Sequence, residues 1–207
     1  VERPVLPALS TAADDGALSM WRNPANISFD HDPSFGLLYA QPVSKVTTSS
    51  EQTHVAGAGS VGPFGGGLSY RGGPNHPSWW TLSTALGIRA GRSFGMGTHL
   101  GWQMPDGPGN NFVTWDFGLG WRPVHWLGFS GVAHNIGGPA PHTGVVERFG
   151  TGAALRPFGN RLVLAGEYMI NADPGAEKRG YFEGNLRIEP IKGLTLRGFG
   201  NEMGTFG

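Results

Sequence analysis

Alternation of large apolar with small residues, in stretches of roughly ten, most narrows what this chain can fold into, because only a two-faced strand repeats every second residue. From Trp80 the even positions read Trp80, Leu82, Thr84, Leu86, Ile88 and Ala90, against Thr81, Ser83, Ala85, Gly87 and Arg89. The next stretch sets Phe94, Met96, Thr98, Leu100 and Trp102 against Gly95, Gly97, His99 and Gly101. A third sets Val113, Trp115, Phe117, Leu119 and Trp121 against Thr114, Asp116, Gly118, Gly120 and Arg122. The pattern continues through 125–136, 145–156, 160–171, 179–189 and 193–202, with earlier strands near 34–41, 52–60 and 63–71, giving about eleven.

The minor face decides what surrounds these strands. It carries glycine, serine and isolated charges rather than the Lys/Glu cover of a water-exposed sheet. With 36 glycines and 14 % charged residues, the chain suits an apolar band in lipid around a small-residue polar interior. Connections agree: tight turns near 61–62, 91–92, 123–124, 157–159 and 190–192 alternate with longer Pro/Gly/Asn/Asp-rich ones, as in outer-membrane barrels. The strand ends Gly120-Trp121-Arg122-Pro123, Ala154-Leu155-Arg156-Pro157 and Arg187-Ile188-Glu189-Pro190 repeat at 34 and 33 residues. Helical solenoids share that period, but glycine at alternate positions opposes helices, so the repeat is read as a hairpin. Trp80, Trp102 and Trp115 lie toward the long-loop ends while Trp121 and Trp126 flank a tight turn, which predicts two membrane-interface belts. A soluble sandwich with core tryptophans is the alternative.

Lys+Arg and Asp+Glu balance at 15 each, and the three lysines (Lys45, Lys178, Lys192) are scattered, so no basic face exists for nucleic acid. No stretch of 18 apolar residues offers a transmembrane helix, and there is no cysteine. The start at Val1 is read as the result of signal-peptide removal or of trimming.

Residues 1–33 do not alternate. Ser10 or Thr11 is expected to cap a short helix through Ala12, Ala13, Leu18, Met20 and Trp21, broken by Asn23-Pro24-Ala25. Such a helix could plug the interior or lie on the rim. The stretch Asp15-Gly16-Ala17-Leu18-Ser19-Met20-Trp21-Arg22-Asn23-Pro24-Ala25, followed by Phe35-Gly36-Leu37-Leu38-Tyr39, resembles the start of FadL/PorV-like outer-membrane proteins. Trp79-Trp80-Thr81-Leu82-Ser83-Thr84, Asn111-Phe112-Val113-Thr114-Trp115-Asp116-Phe117-Gly118-Leu119-Gly120-Trp121-Arg122-Pro123 and Leu155-Arg156-Pro157-Phe158 are most similar to the barrel region of myxobacterial signal-peptide-peptidase-A-like proteins. The resemblance implies an outer-membrane location and, in the transporter branch, movement of hydrophobic molecules.

Chemical motifs are sparse. Gly57-Ala58-Gly59-Ser60-Val61-Gly62 matches a dinucleotide fingerprint, but Pro63-Phe64-Gly65-Gly66-Gly67 follows where a helix is required. Asp30-His31-Asp32 reads as a solvated linker rather than a metal site, and His99 and His134 fall on inward faces without zinc-ligand spacing. No G-x-S-x-G or other legible nucleophile occurs. The inward charges Arg89, Asp116, Arg122, Arg148, Arg156, Glu167, Glu183, Arg187, Glu189 and Arg197 are expected to pair across strands and fill the interior, with a solute-selecting lining as the alternative.

The expectation is therefore an all-β chain: an antiparallel up-and-down transmembrane β-barrel over 34–207, about eleven strands here and 12–14 when complete, behind an N-terminal segment over 1–33. An antiparallel barrel needs an even count, so a further strand is expected, most simply from beyond residue 207, otherwise from another chain or a miscounted 52–71 hairpin. The expected role is a non-enzymatic, cofactor-free outer-membrane protein that holds or passes hydrophobic molecules. A structural or anchoring barrel is the alternative, and a lipid-modifying barrel enzyme stands behind both. Partners are expected among outer-membrane lipids, other envelope proteins or further strands, with no metal.

Overall fold

A computed structural model describes residues 10–30, 32–40, 53–73, 76–106, 111–138, 145–172, 180–191 and 194–202. They form one antiparallel sheet of eleven strands in sequence order: β1 (Ser34–Ala40), β2 (Thr53–Val61), β3 (Phe64–Gly73), β4 (His76–Ala90), β5 (Phe94–Asp106), β6 (Phe112–Val124), β7 (Leu127–His134), β8 (Arg148–Leu155), β9 (Leu162–Asn171), β10 (Gly180–Ile191) and β11 (Leu194–Asn201). Among the described residues no second sheet packs against this one. The sandwich alternative therefore has no counterpart here.

Alternation sets the faces, because paired residues point the same way. Leu82 lies opposite Trp102, Leu100 opposite Trp115, and Trp121 opposite Phe129, all on the outward side. Their inward neighbours Ser83, His99, Thr114 and Asp116 are buried. Along the middle of every strand the outward positions carry no Asp, Glu, Lys, Arg or His; charge returns at Asp106, at the loop-side tip of β5. Phe35, Leu37, Val55, Leu68, Trp80, Leu82, Leu100, Trp115, Leu164, Phe182 and Leu196 are all exposed there.

The inward side is covered by the N-terminal segment. The expected α-helix is replaced by a turn at residues 11–13 and two 3-10 helices, Ala17–Trp21 and Pro24–Phe29. Gly16, with φ 86°, precedes the first run and Pro24, without an N–H, starts the second, and each run lasts about two turns. Asn23 does not simply break a helix. Its side chain accepts a hydrogen bond from the Ala25 N–H and starts the second 3-10 helix at Pro24.

Contacts of this segment give the sheet its curvature. Eleven strands laid flat would span roughly 50 Å. Residues 10–30 nevertheless touch all of them: Leu18 lies on Gly36 of β1, Met20 on Gly67 of β3, Ser28 on Gly87 of β4 and Pro24 on Gly97 of β5. Ala17 and Met20 cluster with Ala58 of β2. Asn23 reaches β6, Thr11 reaches β7 and β8, Arg22 reaches β9 and β10, and Asp14 reaches β11. The sheet is rolled around its own N-terminal segment. Among the described residues the roll does not close, and β1 and β11 are the outermost strands of the sheet. Since every neighbour is antiparallel and the count is odd, those two strands run in the same direction.

Candidate functional site

Among the described residues, charged and polar side chains converge on the inward side of the sheet. Glycines on the inward face let the segment's backbone approach: a Cβ on Gly87 would stand 2.9 Å from the Ser28 nitrogen, and one on Gly97 would collide with the Pro24–Ala25 peptide. The carbonyl of Thr11 accepts from both Asn23 Nδ2 (2.8 Å) and Asn26 Nδ2 (2.9 Å), while Asn23 Nδ2 also donates to the Leu119 carbonyl (3.1 Å). Asn23, Pro24 and Ala25 are all buried. Trp21 Nε1 donates to Ser83 Oγ at 2.8 Å.

The structure brings several of the predicted inward charges together with charged residues of the N-terminal segment. Arg22 donates to Glu167 at 2.7 Å and to Glu183 at 2.6 Å, with side-chain exposures of 7 %, 0 % and 1 %. Glu167 also accepts from the Thr11 N–H. Arg187 and Arg197 reach Asp14 at 3.3 and 2.9 Å. Arg122 pairs with Asp15 and lies 4.0 Å over the Phe29 ring, with Arg89 5.6 Å from the same ring. Arg156 donates to the carbonyls of Ala12 and Ala13, each at 3.0 Å. Alongside the expected cross-strand pairing, these contacts form a clasp on the N-terminal segment. The physical reason is geometric: Glu167 and Glu183 lie directly opposite one another and need a cation from elsewhere.

Burial and charge act against each other in the clasp. Burial alone would lower the Arg22 pKa, but Glu167 and Glu183 outweigh it and hold the guanidinium above its ordinary value. Burial raises the Asp14 carboxyl above 3.8 even though Arg197 and Arg187 pull it down. Burial, reinforced by Arg122, lowers Arg156 to about 10.

Asp116 pairs across strands. Its Oδ2 lies 2.8 Å from His99 Nδ1 and 3.5 Å from His134 Nδ1, and its Oδ1 accepts from the Asn135 N–H at 2.9 Å. Asn135 has a φ of 58°, the one positive value at a non-glycine among the described residues. Arg148 is buried opposite His134. Glu189 stands half-buried on the same face as Arg187.

The five tryptophans read as belts are all exposed on the outward side. Trp80, Trp102 and Trp115 lie on the loop-side halves of β4, β5 and β6, and Trp121 and Trp126 near the tight turns. The glycine fingerprint at Gly57–Gly62 lies in β2 and its turn, with β3 following. His31 of the Asp30-His31-Asp32 linker lies outside the described residues. Sequence reasoning missed Thr11, Asp14, Asp15 and Arg22. Their one signal was two carboxylates and a guanidinium set close together in a chain with little charge.

No family model matches this chain, and no curated protein or solved structure matches it either.

Proposed function

We propose that this chain is the greater part of an outer-membrane β-barrel whose role is structural or anchoring, its interior filled by its own N-terminal segment. The observation that carries the reading is the division of faces. The strand middles carry no Asp, Glu, Lys, Arg or His outside, while Arg, Asp, Glu and His residues gather inside. Water rewards no such arrangement; hydrocarbon outside and a solvated or paired interior do. The exposed tryptophans at the two strand ends fit the levels of two interfaces.

Between anchoring and passage, the interior favours anchoring. A path for hydrophobic molecules needs an apolar lining, whereas the inward side presents buried Ser83, His99, Thr114 and Asp116. The buried Arg22–Glu167–Glu183 cluster occupies the inward side of β9 and β10. The FadL/PorV-like transport reading remains a second proposal, and requires residues 10–30 to leave.

Reconstitution into vesicles of phosphatidylcholine with brominated chains tests the reading. Bromine near the headgroups should quench the exposed tryptophans and spare Trp21. A chain that stays in the aqueous fraction with unquenched tryptophans would overturn it.

A further inference from the structure

We propose that Arg148, flanked on the inward side by His134 and Asn171, binds a small oxyanion, a carboxylate or phosphate group that reaches it from the long-loop side. The inference goes beyond the anchoring reading and needs only the rolled sheet.

Arg148 opens β8 and faces inward, with 9 % of its surface exposed. Among the described residues its guanidinium is paired with no carboxylate, and its enclosed Nε has no hydrogen-bond partner. A buried cation in that condition is costly, and a counter-charge brought to it relieves the cost.

The carboxylates nearest in the fold are engaged or out of reach. Across β5–β9 one inward row reads His99, Asp116, His134, Arg148 and Asn171. Asp116 stands two strands from Arg148, about 10 Å between backbones. Its Oδ2 lies 2.8 Å from His99 Nδ1, and its Oδ1 accepts from the Asn135 N–H. Glu147, beside Arg148 in the chain, accepts from the Gly137 N–H at 2.8 Å. Glu167 and Glu183 lie two inward positions toward the tight turns, about 13 Å along the strands. Between them and Arg148, the buried Val132, Met169 and Tyr181 form one layer, with Met169 filling the space over Gly150. That layer separates the acids of the clasp from the guanidinium.

The chemistry of the ligand follows. A guanidinium presents parallel N–H groups that match two oxygens of one carboxylate or phosphate. The imidazole and amide of the neighbouring residues are of a kind that can add donors. The apolar layer is the floor, so the ligand is small and does not continue to the clasp. A cation would be repelled, and a neutral solute would leave the guanidinium without a counter-charge.

The test uses the full-length protein in detergent micelles, in bis-Tris chloride, with inorganic phosphate as the probe in equilibrium dialysis. Saturable binding of one phosphate per chain is expected, with displacement by acetate. Arg148→Lys keeps the charge but loses the fork, and should weaken binding about tenfold. Arg148→Met should abolish it, while Arg161→Gln, at an exposed position on the tight-turn side, should leave it unchanged. Stability gives an independent readout. Phosphate should raise the urea midpoint of the unaltered protein and not that of Arg148→Met. Without phosphate, Arg148→Met should unfold at higher urea than the unaltered chain, because it removes an unpaired buried charge. The inference is overturned by an unaltered protein that binds no phosphate, or by binding undiminished in Arg148→Met. It is equally overturned by a lower midpoint for Arg148→Met without phosphate, which would show that the guanidinium already has its partner. Exclusion of the protein from vesicles would defeat the barrel reading and leave this site standing.

Discussion

Arg22 is the residue on which the interior turns. Removing it leaves Glu167 and Glu183 buried side by side with no cation between them. Breaking a buried pair from one side costs about 3–5 kcal/mol, and here two carboxylates lose a partner. Arg22→Ala should therefore lower the urea midpoint and abolish heat-modifiability in detergent gels, with Glu167→Ala acting less strongly. A midpoint unchanged in Arg22→Ala would remove the clasp from the account. Asp14 gives a pH dependence of definite sign. Its folded pKa is raised above the ordinary 3.8 by burial, so between these values the folded state keeps a proton that the unfolded chain has lost. Stability should fall as pH rises through that window and level off above it. Asp14→Asn should flatten that fall, which denaturant titrations at successive pH values would read. The inward direction of Glu167, Glu183 and Arg187 was legible from alternation. Their partners were not, because Thr11, Asp14 and Arg22 sit where no period assigns a face.

At the level of elements, strands were easy to read and the N-terminal segment was not. Alternation, tight turns and the prolines at 123, 157 and 190 marked the strands to within a few residues. Their ends moved where pairing set them: β4 and β5 extend past the alternating core, to His76 and Asp106, because each supports the other's loop-side end. The segment's 3-10 form follows from tertiary contact, since Pro24, Ala25 and Ser28 must lie against glycines of β4–β6. Those glycines are the test. Gly97→Val would drive a side chain into the Pro24–Ala25 peptide, and overpacking of this kind typically costs about 1–3 kcal/mol. Gly131→Val, where a Cβ meets nothing within 4 Å, should be far milder. Equal losses of stability in the two variants would count against close approach as the reason for the inward glycines.

For the whole molecule, a filled interior predicts that vesicles carrying the protein leak a small sugar no faster than empty ones, and that Arg22→Ala raises the rate. Fast leakage from the unaltered protein would favour an open passage. The reach of the N-terminal segment also sets an order in time. Thr11 and Arg22 bind residues 156 and 161 positions away, and Asp14 binds Arg187 at a separation of 173. Neighbouring hairpins need only local contacts, whereas these closures wait for nearly the entire chain. The ion pairs of this segment are thus completed only after the later strands are made. Until Glu167 and Glu183 are in place, Arg22 lacks both carboxylates and residues 10–30 are held only by their contacts with the earlier strands. A polypeptide carrying so late a closure gains from being kept extended until it reaches the bilayer.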